Sequence, residues 1–525
     1  MGFELRQHPD QEFVRYLCSG LHEGFDTLIP SVSLVNLECK NLLSARNNPS
    51  DVQELIEKEC QNGFLYGPFS KPPFDKYRVS PLGLAVGKYS GKKRLIVDLS
   101  SPHDDPNNSS INELIDKESC RLSYVRIDDA IRAIQSYGRN ALLYKVDIAN
   151  AFKTLPIKSS QWPYFCIKWR NQYFVYVRLV FGCRSSPKIF DTLSQALCWI
   201  ATNNYGIETI FHLLDDFLTV DGPDYCNGKR TMALLSLLFG RLHIPLAHHK
   251  CVGPTVCLEY LGIILDSSKM EARLPRDKVQ RILQFTENIL GKTCCTKLEL
   301  LQLLGHFNFA SRVVLPGRSF VSYLIHLSTT VKGLHEFVLL DRHCREDLFM
   351  WYRFLQKWNG VSLFYETVCT SSFHMELFTD ASLIGFGGIF NTKWFCSVWP
   401  DNIPSVKDEN LSMAFRELYP IVAAAVLWGK LWTTKRIVFV CDNMSAVYIL
   451  QKGRSKCLPI MKLIRTLTWT AAVNNFHFTA RHLCGEQNKT ADSLSRLLLQ
   501  RFRDLAPEAD KEPQICPQPQ QLIWD

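Results

Sequence analysis

Two neighbouring carboxylates, Asp215 and Asp216, lie between short apolar runs in the stretch HLLDDFLTV, residues 212–220. A buried carboxylate without a partner is costly, and two carboxylates in contact repel each other. Two explanations are open for this pair. It belongs either to a turn that carries Asp-Asp for structural reasons, or to a site where a divalent cation neutralises both charges.

A third carboxylate, Asp147, lies at the end of ALLYKVDI, residues 141–148, a short apolar run that predicts a strand. The runs on either side of Asp215-Asp216 predict a tight hairpin. Carboxylates at strand ends can converge on one edge of a sheet even when they are far apart in sequence. Three such groups can hold two Mg²⁺ ions, which prefer oxygen ligands and which promote phosphoryl transfer by activating the attacking oxygen and stabilising the leaving one.

The second half of the chain carries another series of carboxylates at strand and helix ends. Asp380 lies in LFTDASLIGFGGIF, where a strand precedes a Gly-rich turn, and Glu417 lies near the start of a helical pattern. Asp442 ends the strand pattern IVFVCDN, and Asp492 lies in NKTADSLSR, ten residues after His482. Each carboxylate taken alone is more often a helix cap or a surface group than a ligand.

Composition indicates an ordinary folded protein. At 525 residues the chain is too long for one core, and about two to four domains are expected. Its 46% hydrophobic and 21% charged residues exclude a disordered chain. The formal net charge of +9 suits a polyanionic partner, although many proteins without such a partner are equally basic.

Cysteine spacing and the N-terminus indicate the compartment. The 19 cysteines include no C-x2-C pair and match no disulfide or zinc framework, which favours free thiols in a reducing environment. The start, MGFELRQHPDQEF, lacks the apolar segment of a secretory signal and the Ser or Thr that myristoylation needs. The longest apolar run, PIVAAAVLW, is far shorter than the ~18 residues of a membrane span. We therefore expect an intracellular protein of the cytoplasm, the nucleus or both, without a membrane partner.

The elements around the first carboxylates are readable from the pattern. VGKYSGKKRLIVD, residues 86–98, predicts a hairpin with its turn at Ser90-Gly91. SSPKIFDTLSQALCWIATNNYG predicts a helix that begins with a Ser cap and has Pro187 in its first turn. Its apolar residues recur at helical spacing and predict one buried face, formed by Ile189, Phe190, Leu193, Leu197 and Ile200.

The other regions give coarser predictions. Residues 1–60 and 270–365 are expected to be mostly helical, and an α/β pattern begins near residue 374. Pro420 is tolerated if its helix starts at about residue 416 or 417, because a first-turn N–H has no helical partner. The end of the chain, PEADKEPQICPQPQQ, is rich in Pro and Gln and predicts a flexible segment.

Six segments of the chain form an ordered series at consistent spacing. They are SPLGLAVGKYSGKKRLIVDLS, YKVDIANAFKTLPI, LVFGCRSSPKIF, HLLDDFLTV, RLHIPLAHHKC and EYLGIILD. In this order they resemble the fingers motif and motifs A to E of a reverse transcriptase, specifically that of DIRS-type, tyrosine-recombinase retrotransposons. The resemblance extends over nearly the whole chain, including HPDQEFVRYLCSGLHEGF near the start.

The resemblance implies roles for the first group of residues. Asp147, Asp215 and Asp216 would hold the metal ions. Phe152, five residues after Asp147, would be the steric gate whose ring fills the space of a ribose 2′-OH, so that the enzyme selects deoxynucleotides. Core packing is the alternative role for this ring.

Four more residues match positions that bind or process the nucleotide. Lys88 and Arg94 match the fingers residues that clamp the incoming triphosphate, with surface solvation as the alternative. Gly182 matches a backbone position that approaches the nucleotide and template too closely for a side chain. Lys250 in HHKC matches the motif D lysine that protonates the leaving pyrophosphate, with a generic surface lysine as the alternative.

Two positions depart from the family pattern. Leu213 stands where the family has Tyr, and Val180 precedes Phe181-Gly182 where the family has Pro. The first change would remove a contact to the primer end, and the second would loosen a turn. Neither change removes a metal ligand, so both concern efficiency rather than reaction type.

The second series, in the order D–E–D–H–D, resembles the ribonuclease H domain that follows the polymerase in such elements. The resemblance implies that Asp380, Glu417, Asp442 and Asp492 hold two ions, one of which activates a water to cleave the RNA strand of a hybrid. His482, on a mobile loop, would assist proton transfer or product release, with a structural loop histidine as the alternative. Only RNA would be cut, because only RNA offers the 2′-OH.

The fold class implied is an α/β and α+β multidomain chain, a right-hand polymerase of fingers, palm and thumb followed by a ribonuclease H-like α/β domain. The expected parts are a helical extension of the fingers (1–60), fingers and palm (61–265), a mainly helical thumb and connection (266–372), a ribonuclease H domain on a mixed five-stranded sheet (373–499) and a flexible Pro-rich tail (500–525).

The expected function is RNA-directed DNA synthesis with cleavage of the RNA in the hybrid. The cofactor would be Mg²⁺, two per site, with Mn²⁺ as a substitute. The expected partners are an RNA template, a DNA primer, the RNA–DNA hybrid and dNTPs, together with Gag and a tyrosine recombinase of the same element. A decayed or domesticated, non-catalytic nucleic-acid-binding protein is the alternative, and a DNA-templated polymerase is disfavoured because a ribonuclease H is useful mainly where RNA is copied.

Overall fold

The computed structural model describes residues 1–30, 34–87, 91–103, 105–358, 361–364, 369–371, 374–400, 403, 413–455, 457–482 and 488–523. The chain forms two compact units, residues 1–258 and residues 259–525. Both units combine helices with sheets. The predicted class, a mixed α/β protein of more than one domain, is therefore confirmed.

The first unit alternates helices with short strands. Among its described residues the α-helices are α1 (Gln11–Glu23), α2 (Leu43–Arg46), α3 (Pro49–Gln61), α4 (Ile111–Leu114), α5 (Ile127–Tyr137), α6 (Ser186–Tyr205) and α7 (Tyr225–Arg241). The strands are β1 (Leu37–Glu38), β2 (Leu65–Phe69), β3 (Arg78–Val79), β4 (Leu82–Val86), β5 (Lys93–Val97), β6 (Leu142–Asp147), β7 (Cys166–Trp169), β8 (Gln172–Tyr176), β9 (Ile210–Leu213), β10 (Asp216–Asp221) and β11 (Val252–Thr255).

Three sheets organise this unit. A five-stranded sheet has the order β1-β3-β7-β8-β2, and a four-stranded sheet has the order β11-β6-β10-β9. Strands β4 and β5 pair as the predicted antiparallel hairpin, with Leu82 opposite Val97. The predicted strand that ends at Asp147 and the predicted hairpin around Asp215-Asp216 are also confirmed, as β6 and as β9-β10.

Helix α6 supplies the predicted apolar face to the core. Its five predicted residues, Ile189, Phe190, Leu193, Leu197 and Ile200, are all buried. The helix begins after Ser185 with Pro187 in its first turn, as expected, but the Ser185 side chain makes no capping hydrogen bond. The apolar face fixes the helix against the four-stranded sheet, where its contacts with β9 are concentrated.

The second unit begins inside the strand β12 (Cys257–Tyr260). Among its described residues the α-helices are α8 (Arg276–Leu290), α9 (Lys297–Ala310), α10 (Ser322–Ser328), α11 (Arg342–Arg353), α12 (Met413–Trp428), α13 (Met444–Lys452), α14 (Leu458–Val473), α15 (Lys489–Ser495), α16 (Leu499–Leu505) and α17 (Pro519–Leu522). The strands that follow β12 are β13 (Ile263–Asp266), β14 (Glu271–Arg273), β15 (Cys294–Thr296), β16 (Phe337–Leu339), β17 (Val361–Leu363), β18 (Cys369–Ser371), β19 (Leu377–Ala381), β20 (Gly385–Phe390), β21 (Lys393–Val398), β22 (Arg436–Cys441) and β23 (His477–His482).

The region predicted to be mainly helical also contains sheets. Helices α8 to α11 are present, but they are accompanied by the pair β15-β16 and by β14 and β17, two strands of a sheet of order β12-β13-β14-β17 that begins before this region. These strands are three or four residues long. Runs this short carry too little alternation to be distinguished from loops in the sequence.

Among the described residues from 369 onward, the strands form two three-stranded sheets, where a single mixed five-stranded sheet was predicted. Strands β19-β20-β21 are antiparallel, and β18-β22-β23 are parallel. Gly387 in β20 permits close packing of α15, because a Cβ on this residue would lie 2.5 Å from the Leu494 Cβ. This glycine therefore brings α15, which carries Asp492, close to β20.

Helix α12 begins earlier than predicted. It starts at Met413, so Pro420 lies inside the helix rather than in its first turn. Proline has no N–H, and the Arg416 carbonyl therefore loses its usual helical donor. The helix is buried along most of its length, and this burial outweighs the local cost of the proline.

The segment predicted as a flexible tail, residues 500–525, is instead packed over residues 500–523. Phe502 and Leu522 are fully buried. The Gln514 backbone N–H donates to the Trp394 carbonyl at 2.7 Å, and its side-chain carbonyl accepts from Trp428 Nε1 at 2.7 Å. Sparse apolar anchors between prolines gave no periodic signal, which is why composition alone predicted flexibility.

No helix in the described part of the chain is long and apolar enough to cross a membrane.

Candidate active sites

The first three carboxylates meet at one edge of the four-stranded sheet. Asp147 at the end of β6 lies directly opposite Asp216 at the start of β10 in the antiparallel register. Asp215 lies in the adjacent turn, and its carbonyl accepts a hydrogen bond from the Ile148 backbone N–H at 3.0 Å. The structure therefore brings together the three residues that the sequence singled out.

Two lysines partly balance these charges. Lys250 Nζ donates to both carboxylate oxygens of Asp147, at 2.9 and 3.0 Å. Lys145 Nζ lies 3.2 Å from Asp216 Oδ2. The sequence reasoning missed Lys145, although a signal was present: in the strand YKVDI, Lys145 and Asp147 are two residues apart and so point to the same face.

Burial makes this cluster costly despite the lysines. Burial raises the pKa of Asp216 to about 6, with Asp147 and Asp215 adding to the rise and Lys145 opposing it. Burial also raises the pKa of Asp215. Asp216 Oδ1 is buried without a hydrogen-bond partner among the described residues. An orphaned carboxylate oxygen beside two further carboxylates fits a hard divalent cation, whose ligands are oxygens.

Helix α6 holds the hairpin that carries Asp215-Asp216. Ser194 Oγ donates to the Leu214 carbonyl in the turn at 2.8 Å. His212 Nε2 lies 3.1 Å from Asp191 Oδ1. Leu214 has φ of +55°, a left-handed conformation that costs a non-glycine residue about 1 kcal/mol. The hydrogen bond from Ser194 secures this strained turn.

The anchoring residues were also missed in the sequence. Asp191, Ser194 and Cys198 recur at helical spacing on α6, opposite in character to its apolar face. Cys198 Sγ lies 3.3 Å from His212 Nδ1, which extends the chain of polar contacts from the helix to β9. Polar residues at i, i+3 and i+7 in a buried helix were the available signal.

Gly182 and Phe152 have structural explanations of their own. Gly182 has φ of +96°, and a Cβ there would lie 3.2 Å from the Val97 carbonyl oxygen. Phe152 is 8% exposed and packs on Phe181 and Phe190, with ring centroids 4.7 and 5.5 Å away. Core packing thus accounts for the burial of much of the Phe152 ring, and its role as a steric gate stays a prediction.

The remaining predictions of the first site are less constrained. Arg94 is exposed on β5, and Lys88 lies outside the described residues. Leu213 pairs with Asp216 across the hairpin. Val180 is buried, and its carbonyl accepts a hydrogen bond from Ser186 Oγ at 2.9 Å, which secures the turn that was expected to be loosened.

The second series of carboxylates also converges. Asp380 lies in β19, Glu417 on α12, Asp442 immediately after β22, and Asp492 on α15. Burial raises the pKa of Glu417 to about 9, and the charges of Asp380 and Asp442 add to the rise. Burial raises the pKa of Asp380 to about 6, with Asp442 and Asp492 contributing.

Partners of this cluster lie on α15 and just beyond it. Ser495 Oγ donates to Asp380 Oδ2 at 2.5 Å. Arg496 Nε lies 2.6 Å from Asp492 Oδ1, and Arg501 Nη1 lies 3.5 Å from Asp492 Oδ2. Neither Ser495 nor Arg496 was predicted, although their spacing of three and four residues from Asp492 places them nearby on one helix.

Glu417, Cys441 and Asp442 form a compact group of potential metal ligands. One ligand atom of each, two carboxylate oxygens and the Cys441 Sγ, lie within 4.8 Å of one another. Glu417 has no hydrogen-bond or ion-pair partner in the described part of the chain. A buried carboxylate without such a partner beside a second carboxylate fits a cation.

His482 ends β23, and its Nε2 lies 3.1 Å from the Asp442 carbonyl oxygen. The structure therefore brings His482 to the cluster, as expected from the sequence. The following residues, 483–487, lie outside the described residues, so its predicted placement on a mobile loop stays a prediction.

Comparison with known proteins gives structural likenesses alone. Neither a protein-family model nor a curated protein matches the chain. A foamy viral protease-reverse transcriptase dRH in complex with double-stranded DNA has 15% sequence identity and a TM-score of 0.49, over 87% of this chain and 73% of that chain. The foamy viral protease-reverse transcriptase in complex with an RNA/DNA hybrid has 14% identity and a TM-score of 0.48, over 90% of this chain and 61% of that chain. Its complex with double-stranded DNA has 15% identity and a TM-score of 0.47, over 91% and 94% of the two chains. Likenesses at this identity and TM-score do not determine what the chain does.

Proposed function

We propose that the chain is an RNA-directed DNA polymerase with a C-terminal ribonuclease H, of the kind found in DIRS-type retrotransposons. The observation that carries the proposal is the register that sets Asp147 opposite Asp216, with Asp215 in the adjoining turn. Six ordered motifs point to the same chemistry. Residues 61–265 would supply fingers and palm, with residues 1–60 as a helical extension of the fingers. The chain from 266 to 372 would supply the thumb and connection, and the part from 373 to 499 the ribonuclease H.

Mg²⁺ would be held by Asp147, Asp215 and Asp216 in the first site. Bound there, it would activate the attacking primer hydroxyl and stabilise the leaving oxygen. Lys250, which lies against Asp147, would donate a proton to the departing pyrophosphate. Lys145 would keep Asp216 ionised against the cost of its burial.

Other residues of the first unit would bind the nucleotide. Lys88 and Arg94 would clamp the triphosphate, and the Phe152 ring would exclude a ribose 2′-OH. The left-handed backbone at Gly182 supports a close approach of nucleotide and template to this turn. The partners would be an RNA template, a DNA primer and dNTPs, with Gag and a tyrosine recombinase of the same element.

The second site would cleave the RNA strand of the hybrid. Asp380, Glu417, Asp442 and Asp492 would hold Mg²⁺, or Mn²⁺ in its place, which would activate a water molecule. His482, next to the Asp442 carbonyl, would assist proton transfer or product release. Ser495 would orient Asp380 through its 2.5 Å hydrogen bond.

A separation-of-function experiment tests the proposal. The purified chain should extend a DNA primer on an RNA template in Mg²⁺ and should cleave the RNA of a labelled hybrid. Asp215→Asn should abolish extension while sparing cleavage, and Glu417→Gln should do the reverse. Normal extension by Asp215→Asn would show that the first site is wrongly assigned.

The internal lysine pairs favour a second candidate, a non-catalytic nucleic-acid-binding protein. Asp147 and Asp216 each have an ammonium partner, so part of their charge is balanced without a metal. Binding of hybrid without nucleotide incorporation, in Mg²⁺ and in Mn²⁺, would favour this candidate. Extension that requires either metal would exclude it.

A further inference from the structure

Cys441 lies among residues that would otherwise form an all-oxygen site. In β22 the residues Ile437, Phe439 and Cys441 alternate as buried positions, so the Cys441 side chain points into the core of the unit. There its Sγ and one carboxylate oxygen each of Glu417 and Asp442 lie within 4.8 Å of one another. The Asn443 backbone N–H donates to this sulfur at 3.4 Å, which helps to fix its position.

Glu417 gives independent support for a ligand at this place. Its side chain is 6% exposed and has no hydrogen-bond or ion-pair partner among the residues that the structure describes. Its neighbours Asp380 and Asp442 are also acidic. The ionised form of a buried carboxylate of this kind is favoured only by a positive charge beside it.

We propose that Glu417, Cys441 and Asp442 form a site for a thiophilic divalent cation, Zn²⁺ or Cd²⁺. Mg²⁺ takes oxygen ligands and gains nothing from the sulfur. Zn²⁺ and Cd²⁺ accept thiolate together with carboxylate, and three protein ligands leave a position open for water or substrate. The sulfur thus gives the site a preference for Zn²⁺ or Cd²⁺ over Mg²⁺ that its carboxylates alone would not give.

Binding of the cation releases two protons. Metal–sulfur and metal–oxygen bonds form as the Cys441 S–H bond breaks and as Glu417 gives up the proton that it holds in the metal-free chain, and both protons pass to the buffer. The thiolate and the two carboxylates then outweigh the two positive charges of the cation by one negative charge. The heat of binding should therefore vary with the ionisation enthalpy of the buffer.

A consequence concerns the hydrolytic site and rests on the proposed function. Glu417 and Asp442 are shared between the two metal classes, so Zn²⁺ or Cd²⁺ would displace Mg²⁺ and inhibit hybrid cleavage. Inhibition should be lost in Cys441→Ser, which keeps every carboxylate. The binding site itself does not depend on cleavage.

Binding is tested on the full chain, freed of metal, by titration with CdCl₂. Calorimetry gives the affinity, and the ultraviolet charge-transfer absorption of a cadmium–thiolate bond reports the sulfur. The matched control is Cys344→Ser, because Cys344 is an equally buried thiol of the same unit. We expect wild type and Cys344→Ser to bind one tight equivalent, and Cys441→Ser and Glu417→Gln to bind it at least about tenfold more weakly.

Cys441→Val provides a second variant that keeps the side chain apolar if the serine variant does not fold. Retention of the tight equivalent and its charge-transfer band in a folded Cys441 variant would overturn the proposal. So would its retention in Glu417→Gln, because the cation would then be held by Cys441 and Asp442 without the Glu417 carboxylate. Tight Cd²⁺ binding through Cys441 in a chain that cleaves no hybrid in Mg²⁺ would support the site and refute the hydrolytic function.

Discussion

The two acidic clusters solve the same electrostatic problem in different ways. In the first, Lys250 binds both oxygens of Asp147, and Lys145 approaches Asp216. In the second, the arginines lie on Asp492, and Glu417 has no such partner among the described residues. Burial raises the pKa of Asp216 in the first cluster to about 6 and the pKa of Glu417 in the second to about 9.

This difference indicates how each cluster depends on a cation. The first carries part of its own counter-charge, which offsets part of the cost of burying its carboxylates in the absence of metal. The second contains a buried carboxyl group, that of Glu417, which keeps its proton near neutral pH unless a cation binds. We expect the second cluster to respond more strongly to metal removal and to pH.

Glu417→Gln should give the largest change in stability. In EDTA at about pH 8, the substitution should raise the free energy of unfolding by about 2–4 kcal/mol, because Gln fills the site without carrying a proton-dependent charge. Urea denaturation followed by circular dichroism measures the effect. Glu508→Gln, at an exposed position, is the control and should change nothing. A destabilised Glu417→Gln would mean that the carboxylate has a favourable partner.

The pH dependence of the free energy of unfolding should show the contribution of Glu417 in the wild-type chain. The folded pKa of Glu417, about 9, lies above its ordinary value of 4.5, so the folded chain holds a proton that the unfolded chain releases. The metal-free free energy of unfolding should therefore be greatest at low pH within this interval and should fall as pH rises from about 4.5 to about 9. Urea titrations across this range, repeated with Glu417→Gln and with added Mg²⁺, should show a smaller fall in both cases.

The sequence predicted the carboxylates of both clusters but few of their partners. Asp147, Asp215 and Asp216 were predictable because strand ends and a hairpin are local patterns. Lys145 and Ser495 were not selected, because a lysine in a strand or a serine in a helix acquires its role only through the neighbouring element. The packed segment after residue 500 was missed for the same reason, since Phe502 and Leu522 are isolated anchors that have meaning only against a surface.

Asp147→Asn should change the free energy of unfolding in the opposite direction to Glu417→Gln. Asn keeps one oxygen but loses the charge that binds Lys250, whose side chain is half exposed. We expect the free energy of unfolding to fall by about 1 kcal/mol or less, because the exposed side chain of Lys250 screens its pair with the buried Asp147. The measurement is urea denaturation in EDTA, alone and in high salt, and the difference from wild type should shrink in salt. A stabilised variant would place the first cluster in the same class as the second.

Substitution of two serines should have the smallest effects, and it distinguishes a serine that supports the backbone from one that supports a carboxylate. Ser194 holds the Leu214 carbonyl, whereas Ser495 donates to Asp380 itself. Ser194→Ala should lower the free energy of unfolding by about 1 kcal/mol and leave the pH profile of primer extension unchanged.

Ser495→Ala removes a hydrogen bond that favours the ionised form of Asp380, so the pKa of this carboxyl should rise. The acidic limb of hybrid cleavage should then move upward by about one pH unit or less. If the acidic limb of hybrid cleavage does not move, the 2.5 Å hydrogen bond from Ser495 aligns α15 and does not lower the pKa of Asp380.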